Sequence, residues 1–212
     1  MKALLNVSVF SLALAITACN NSGENKSTTD STTTTTVDTP MTTTDTSHSS
    51  MKMAPDTATV PMVEKAEAII SGTYPDTTVT GTAKFTTGKN SKVKMVLDIT
   101  AAAKAGKSVA VHLHEHGDCG DSGKMAHGHW NPTNAQHGKW GQGSFHSGDI
   151  GNVKLDSKGK GTVTIETDLW TLGGKWDKNV LGKAVIVHGG VDDFTTQPTG
   201  NAGSRIGCGV IK

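Results

Sequence analysis

The stretch His112–Asp149 constrains this chain more than any other, because it holds seven of the nine histidines. It begins as a strand. Val109, Val111 and Leu113 alternate with Ala110, His112 and His114, so a period of two puts the apolar side chains on one face and both imidazoles on the other. Residues i and i+2 lie roughly 6.5–7 Å apart along a strand, close enough for two imidazoles to converge on one metal ion. Histidines facing away from a core need a cover. The glycine-punctuated segment that follows is long enough to supply one, and a loop of that length in a compact domain is usually functional or disordered. His129, His137, His146 and Asp149 recur along it, and three imidazoles with one carboxylate suit a tetrahedral zinc ion. With no apolar period, such a loop is expected to fold around its metal.

The rest of the chain sets the frame. A net charge of +1 gives no basic signature for nucleic acid. The three cysteines, Cys19, Cys119 and Cys208, form no metal-binding cluster. Residues 1–18 read as a secretion signal: Lys2, then a short apolar run from Ala3 to Ile16 that is short for a membrane span. The run ends Ile16-Thr17-Ala18-Cys19, which resembles a bacterial lipobox, with Cys19 as the lipidated residue. Asn20 and Asn21 resemble the residues that direct such lipoproteins to the outer membrane. Each buried methylene of an acyl chain would contribute about 0.8 kcal/mol to anchoring.

Residues 19–62 read as a threonine- and serine-rich disordered tether with a mean reach of roughly 35–40 Å. Met41, Met51, Met53 and Met62 sit in or just after it, and His48, Met51 and Met53, close together, carry ligand types that suit Cu(I), though a solvated spacer is the plainer reading. From residue 63 to 212 the chain is globular and rich in short alternating strands. They fall near 65–71, 79–85, 93–99, 108–116, 152–156, 163–165, 183–188 and 207–211. Trp170–Leu181 reads as a connection with room for one short helix. Eight strands with turn signals and almost no helix predict an all-β sandwich or barrel.

A second cluster closes this domain, Val187-His188-Gly189-Gly190-Val191-Asp192-Asp193 and then Gly200 to Ile211. Together, H-L-H-E at 112–115, G-D-C at 117–119, H-W-N-P at 129–132, H-G at 137–138, H-S-G-D-I-G-N at 146–152, V-H-G-G at 187–190 and G-N-A-G-S-R-I-G-C-G-V-I at 200–211 resemble the bacterial periplasmic copper,zinc superoxide dismutases. The resemblance covers about 65–212. It implies an eight-stranded Greek-key β-sandwich or barrel with two long functional loops, one copper and one zinc ion per subunit, and superoxide as substrate. It places copper ligands on His112, His114, His129 and His188, and zinc ligands on His129, His137, His146 and Asp149. It makes His129 the bridge and a proton carrier, Arg205 the anion-holding arginine, and Asp192 a carboxylate linking a copper histidine to a zinc histidine. It implies a Cys119–Cys208 disulfide. It leaves the oligomeric state open, a homodimer included, and it implies a periplasmic location.

The stretch A-H-G-H-W-N-P offers two candidates for the bridge. His129 directly precedes the aromatic-Asn-Pro turn, where Pro132 restricts Asn131 to extended backbone, whereas Gly128 leaves His127 freer. His116 and His127 match no ligand of the family and read as loop residues. Two departures stand out. Ala110 replaces the usual glycine, which questions the packing there. The loop 189–204 lacks lysine and glutamate, which leaves Lys124 or Lys139 to steer an anion. A non-enzymatic copper-binding or copper-delivery protein and a zinc-only structural module are the competing readings, and neither needs the complete ligand set together with Arg205.

Overall fold

The computed structural model describes residues 59–74 and 78–212. The signal at 1–18, Cys19 and the tether as far as residue 58, with Met41, His48, Met51 and Met53, lie outside them.

Eight strands carry the fold: β1 (Lys65–Gly72), β2 (Val79–Thr87), β3 (Val93–Ala101), β4 (Ser108–His114), β5 (Gly151–Lys154), β6 (Lys160–Thr167), β7 (Ala184–His188) and β8 (Arg205–Val210). Every pairing is antiparallel, and the spatial order is β5-β4-β7-β8-β1-β2-β3-β6. The two ends of this order, β5 and β6, meet, so the sheet is a nearly closed barrel. Closure removes most of the exposed strand edge that would invite pairing with other chains. Val60 bridges Gly174 and Val63 donates to the Leu172 carbonyl at 2.8 Å, so the ordered body starts slightly upstream of β1.

The strands form because their apolar residues alternate. In β3, Val93, Met95, Leu97, Ile99 and Ala101 are buried while Lys94 and Asp98 face water. In β1, Ala66, Ala68 and Ile70 point inward against Lys65 and Glu67. β4 and β7 depart from this: both faces are buried, apart from the first residue of β4. Their outer faces carry histidines, and long loops cover them, so alternation of residue type survives while alternation of exposure does not.

The connection Trp170–Leu181 holds no helix; it is a run of turns and bends. Its residues are committed elsewhere. Trp170 is fully buried, packs on Phe85 and Trp140, and donates its indole N–H to the Ser147 carbonyl at 2.8 Å. Asn179 accepts from the backbone of Gly173 and Leu181, which holds the segment as a compact turn. Two single-turn 3₁₀ helices occur instead, at Ala102–Lys104 and Lys124–Ala126. A disulfide joins Cys119 in the long loop to Cys208 on β8 across a separation of 89 residues. A loop of that size lowers the entropy of the unfolded chain by about 4–5 kcal/mol equivalent in the chain-entropy account.

The long loop also has more to fold around than its ligands. Trp130 enters the main core, and its backbone pairs with Leu113 and Gly148 at 2.8 and 3.0 Å. Trp140 stacks at an angle on Trp170 and on Phe145. Replacing Trp170 with alanine removes both the core packing and the bond to the loop. We expect a loss of about 3–5 kcal/mol in urea unfolding of the full chain, and a loss under 1 kcal/mol would mean that the loop is not tied to the barrel through this indole.

Candidate metal centre

β4 delivers two imidazoles to the outside of the barrel, as its alternation predicts. His112 and His114 are both fully buried, beneath the long loop. The chain beyond β4 runs beside the loop: His114 bridges His129, and Trp130 N–H donates to Leu113. This pairing brings His129 over β4, with its ring centroid 3.9 Å from that of His112. His188, the last residue of β7, adds a fourth ring, 4.9 Å from His112. One ligand atom from each of His112, His114, His129 and His188 lies within 4.8 Å of the others.

A second set shares His129. His137, His146 and Asp149 join it with the same mutual spacing, and all four residues are buried. Asp149 sits at the middle. Its Oδ1 lies 2.8 Å from His129 Nδ1 and 3.1 Å from His146 Nδ1, and its Oδ2 lies 3.0 Å from His137 Nδ1. The last two contacts are short without the alignment of a hydrogen bond, and both nitrogens lack any hydrogen-bond partner. Short, misaligned contacts of this kind are what donor atoms show when they surround a common centre rather than pair with each other. Asp149 Oδ2 also accepts from the backbone N–H of Gly138 and His146, which fixes the carboxylate.

The outer ring nitrogens settle the tautomers. His114 Nδ1–H donates to the His127 carbonyl at 2.8 Å, and His188 Nδ1–H to the Gly203 carbonyl at 3.2 Å. His112 and His137 direct their Nε2 atoms to the two oxygens of Asp192, each at 2.9 Å. In each case the other nitrogen faces the cluster. These are His112 Nδ1, His114 Nε2, His137 Nδ1 and His188 Nε2, and none has a hydrogen-bond partner. His129 Nε2 and His146 Nδ1 are equally unpartnered. Six buried, unpaired nitrogens pointing at two centres fit two cations and no other arrangement as well.

Electrostatics prepare the ligands. Burial pulls His188 down to about 3, with His112 adding to the effect. Burial also takes His129 to about 4 against the pull of the Asp149 hydrogen bond. His114 lies well below its ordinary value for the same first reason, and His112 is lowered despite Asp192. These four imidazoles are therefore neutral at pH 7, the form that binds a metal. Burial alone would raise Asp149 and Asp192, but the hydrogen bonds from the histidines hold both below the ordinary carboxylate range. His137 is the exception. Burial lowers it, yet the close Asp149 carboxylate and the hydrogen bond to Asp192 outweigh that and raise it to about 9. An ion arriving there must displace a proton.

Several residues support the site in ways that the sequence did not assign. Asn152 grips Asp192 through its backbone, donating to the carbonyl and accepting from the N–H, both at 2.8 Å. Gln197 clamps the His137 backbone at both its N–H and its carbonyl, each at 2.9 Å. Gly200 has a φ of 65°, and a Cβ there would overlap Asp192 and His137. Its position in the G-N-A-G motif was visible, but its role needs three dimensions. Arg205 opens β8 and is partly exposed. Its guanidinium donates to the carbonyls of Gly123 and His127 at 2.6 and 2.5 Å. Ala110 packs without difficulty: it is fully buried and its N–H reaches the Gly190 carbonyl at 2.8 Å. Of the two candidate steering lysines, Lys124 lies in the segment whose carbonyls hold Arg205, whereas Lys139 rests over the Phe194 ring. His127 and His116 belong to neither buried set; they are exposed.

Comparison with known proteins agrees with this geometry. The Copper/zinc superoxide dismutase family pattern matches residues 79–211. A relative in Aquifex aeolicus, Superoxide dismutase [Cu-Zn] 1, is 42% identical over 109 residues, covering 49% of this chain and 64% of the relative. Superoxide dismutase [Cu-Zn] of Paramecium bursaria Chlorella virus 1 is 37% identical over 139 residues, covering 63% of this chain and 72% of the relative. This chain thus spans just under two thirds of the Aquifex aeolicus protein. Among solved structures, that of the clock protein EA4 superposes with a TM-score of 0.61 at 30% identity, over 71% of this chain and 95% of that one. On the extent of the family match and the barrel that bears it, this chain belongs to the copper/zinc superoxide dismutase family.

Proposed function

We propose that the chain dismutes superoxide to dioxygen and hydrogen peroxide, with copper at the four-histidine set and zinc at the set centred on Asp149. The observation that carries this is the inward aim of six unpartnered imidazole nitrogens, sorted by their outer hydrogen bonds into two centres that share His129. Four nitrogen donors support both oxidation states of copper, and three imidazoles with a carboxylate suit zinc. When bound, copper supplies the one-electron exchange with superoxide, and zinc fixes the second nitrogen of the shared imidazole.

The residues divide the remaining work. His129 Nε2 faces the copper set and Nδ1 the zinc set, so its ring is the one group able to sense both. It is also placed to take a proton at Nε2 and give it back to the reduced product. Asp192 orients His112 and His137 through one carboxylate, which ties the geometry of the two sets together. Arg205 is a permanent cation whose three carbonyl contacts, to Gly123, Lys124 and His127, aim it while leaving it partly exposed, as an anion-docking group requires. A copper carrier would need no such arginine and no shared imidazole, which favours the enzyme.

The location belongs to the same proposal. Residues 1–18 would be a lipoprotein signal, Cys19 the acylated residue, 19–62 a tether and 63–212 the catalytic domain, held at the outer membrane and working in the periplasm. The lipobox-like Ile16-Thr17-Ala18-Cys19 supports this. Among the described residues no helix is long and apolar enough to cross a membrane.

Three outcomes test these assignments. Arg205→Ala should keep both metals, as measured by elemental analysis, while kcat/KM for superoxide falls roughly ten- to a hundredfold; an unchanged rate at low ionic strength removes Arg205 from the reaction. His129→Ala should disturb copper and zinc together, seen as reduced stoichiometry of both and an altered visible copper spectrum. Loss of one metal alone would refute the shared ligand. Cys19→Ser should release the protein from membranes and abolish acylation in mass spectra, and a lipid-free wild type would end the lipoprotein reading.

A further inference from the structure

Beyond the two buried sets, a third cluster of ligating side chains lies on the surface. Glu115, His116 and His127 present one ligand atom each within 4.8 Å of the others. Glu115 is partly exposed, and both histidines are exposed. The two rings lie 4.4 Å apart at an interplanar angle of 53°. We infer that these three residues form an accessory, solvent-facing site for an exchangeable divalent transition ion of the zinc or copper(II) class.

The backbone builds this cluster; it is not a chance meeting of long side chains. Past the end of β4 the chain keeps its pairing with the long loop. Glu115 N–H donates to Gly128 at 3.1 Å and His116 N–H to Ala126 at 3.2 Å. His127 N–H closes the 3₁₀ turn on the Lys124 carbonyl at 3.0 Å. Both histidines therefore stand on fixed backbone, and imidazole has only two side-chain torsions to settle. Little ordering remains for an ion to impose.

His127 also occupies a conformation that histidine rarely adopts, with φ 61° and ψ −143°. That region belongs to glycine, and a glycine stands next door at 128. The strain serves a purpose, because it turns the His127 carbonyl toward the centre, where it accepts from His114 Nδ1 and Arg205 Nη2. Glycine would provide this carbonyl at no strain. Histidine adds only its ring, and the ring lies against His116 and the Glu115 carboxylate.

The donor set selects the ion. Two imidazoles and one carboxylate are borderline nitrogen and hard oxygen ligands, which suit zinc and copper(II) rather than calcium or magnesium. Three protein ligands on a solvated surface leave coordination positions to water, which makes an open, exchanging site rather than a closed structural one. Of the nearby cations, Arg205 is engaged with main-chain carbonyls, and the Lys183 ammonium donates to the Glu115 main-chain carbonyl at 3.0 Å, leaving the carboxylate outside that bond. An ion held here would brace the carbonyl that positions both His114 and Arg205.

The test uses the full chain with both buried sites filled, titrated with Zn²⁺ at neutral pH by calorimetry and equilibrium dialysis. We expect one further equivalent per chain beyond the two buried ions. His116→Asn and His127→Asn should each abolish it, Glu115→Gln should weaken it, and His48→Ala in the N-terminal segment should leave it in place. Imidazole NMR of the wild type gives a reading that needs no variant: the His116 and His127 ring signals should shift with Zn²⁺ while the buried rings stay still. No further equivalent, a further equivalent that survives His116→Asn, or ring signals of His116 and His127 that do not move would each overturn the inference.

Discussion

The structure turns on the burial of six imidazoles whose inward nitrogens have no partner in the protein. A buried polar group left unsatisfied costs about 1–3 kcal/mol. Several together rival the whole stability of a domain, which is about 5–15 kcal/mol. The chain does not relieve this by turning the rings outward, because the outer nitrogens of His112, His114, His137 and His188 are already committed to a carbonyl or to Asp192. The fold holds donor atoms in an arrangement that is unfavourable for the protein alone and favourable around two cations. Barrel, loops and disulfide can all be read as what keeps that arrangement from collapsing.

Asp192 shows how the frame is held. One carboxylate spans His112 on β4 and His137 in the long loop, although it comes from a third segment after β7. It needs support of its own, and Asn152 supplies that by pairing with its backbone. Gly200 leaves room for the approach, and Gln197 holds His137 from the far side. The loop 189–204 therefore works as a backing layer. Its absence of lysine and glutamate makes sense here, because its short polar residues are occupied with backbone and histidine contacts. Asp193, for example, spends its carboxylate on Thr195 and Thr196.

Much of this was legible in the sequence, for a physical reason. A strand has a fixed period, so His112 and His114 announce a shared face, and Val93 to Ile99 announce a core. The three strands near 93, 108 and 183 therefore fall where alternation puts them. The ligands of the long loop were legible through residue type and order. Exposure was less so. β4 and β7 are buried on both faces because distant loops cover them, and no local pattern records a distant cover. The connection at 170–181 misled for a similar reason: its helical allowance was overridden by Trp170, which the core and the Ser147 carbonyl both claim. The loop itself was read as metal-dependent throughout, yet Trp130 and Trp140 give it an apolar anchor that spacing among glycines conceals. Asn152 stood inside the H-S-G-D-I-G-N motif, but its grip on Asp192 needs three dimensions, and Gln197 looks like any other amide in a loop.

Two separate links join the clusters, and they differ in kind. His129 is a direct link: its two nitrogens face different sets, and an ion at either changes the basicity of the other nitrogen. Asp192 is a mechanical link, because a shift of His137 moves the carboxylate that orients His112. The direct link carries electronic information and the mechanical link carries position. A site built for storage would gain nothing from either, since independent ligand sets fill and empty more simply. A site that must move a proton at the same atom on every turnover gains from both. On the proposed function, the nitrogen that carries the proton would have to stay in one place, and a ring held on its far side by Asp149 would do so without searching. The strained His127 backbone extends the same logic to the substrate side, because one carbonyl orients His114 and Arg205 together. On the proposed function, ligand, proton carrier and anion dock would all be referred to one rigid frame, so that little would have to rearrange during the reaction.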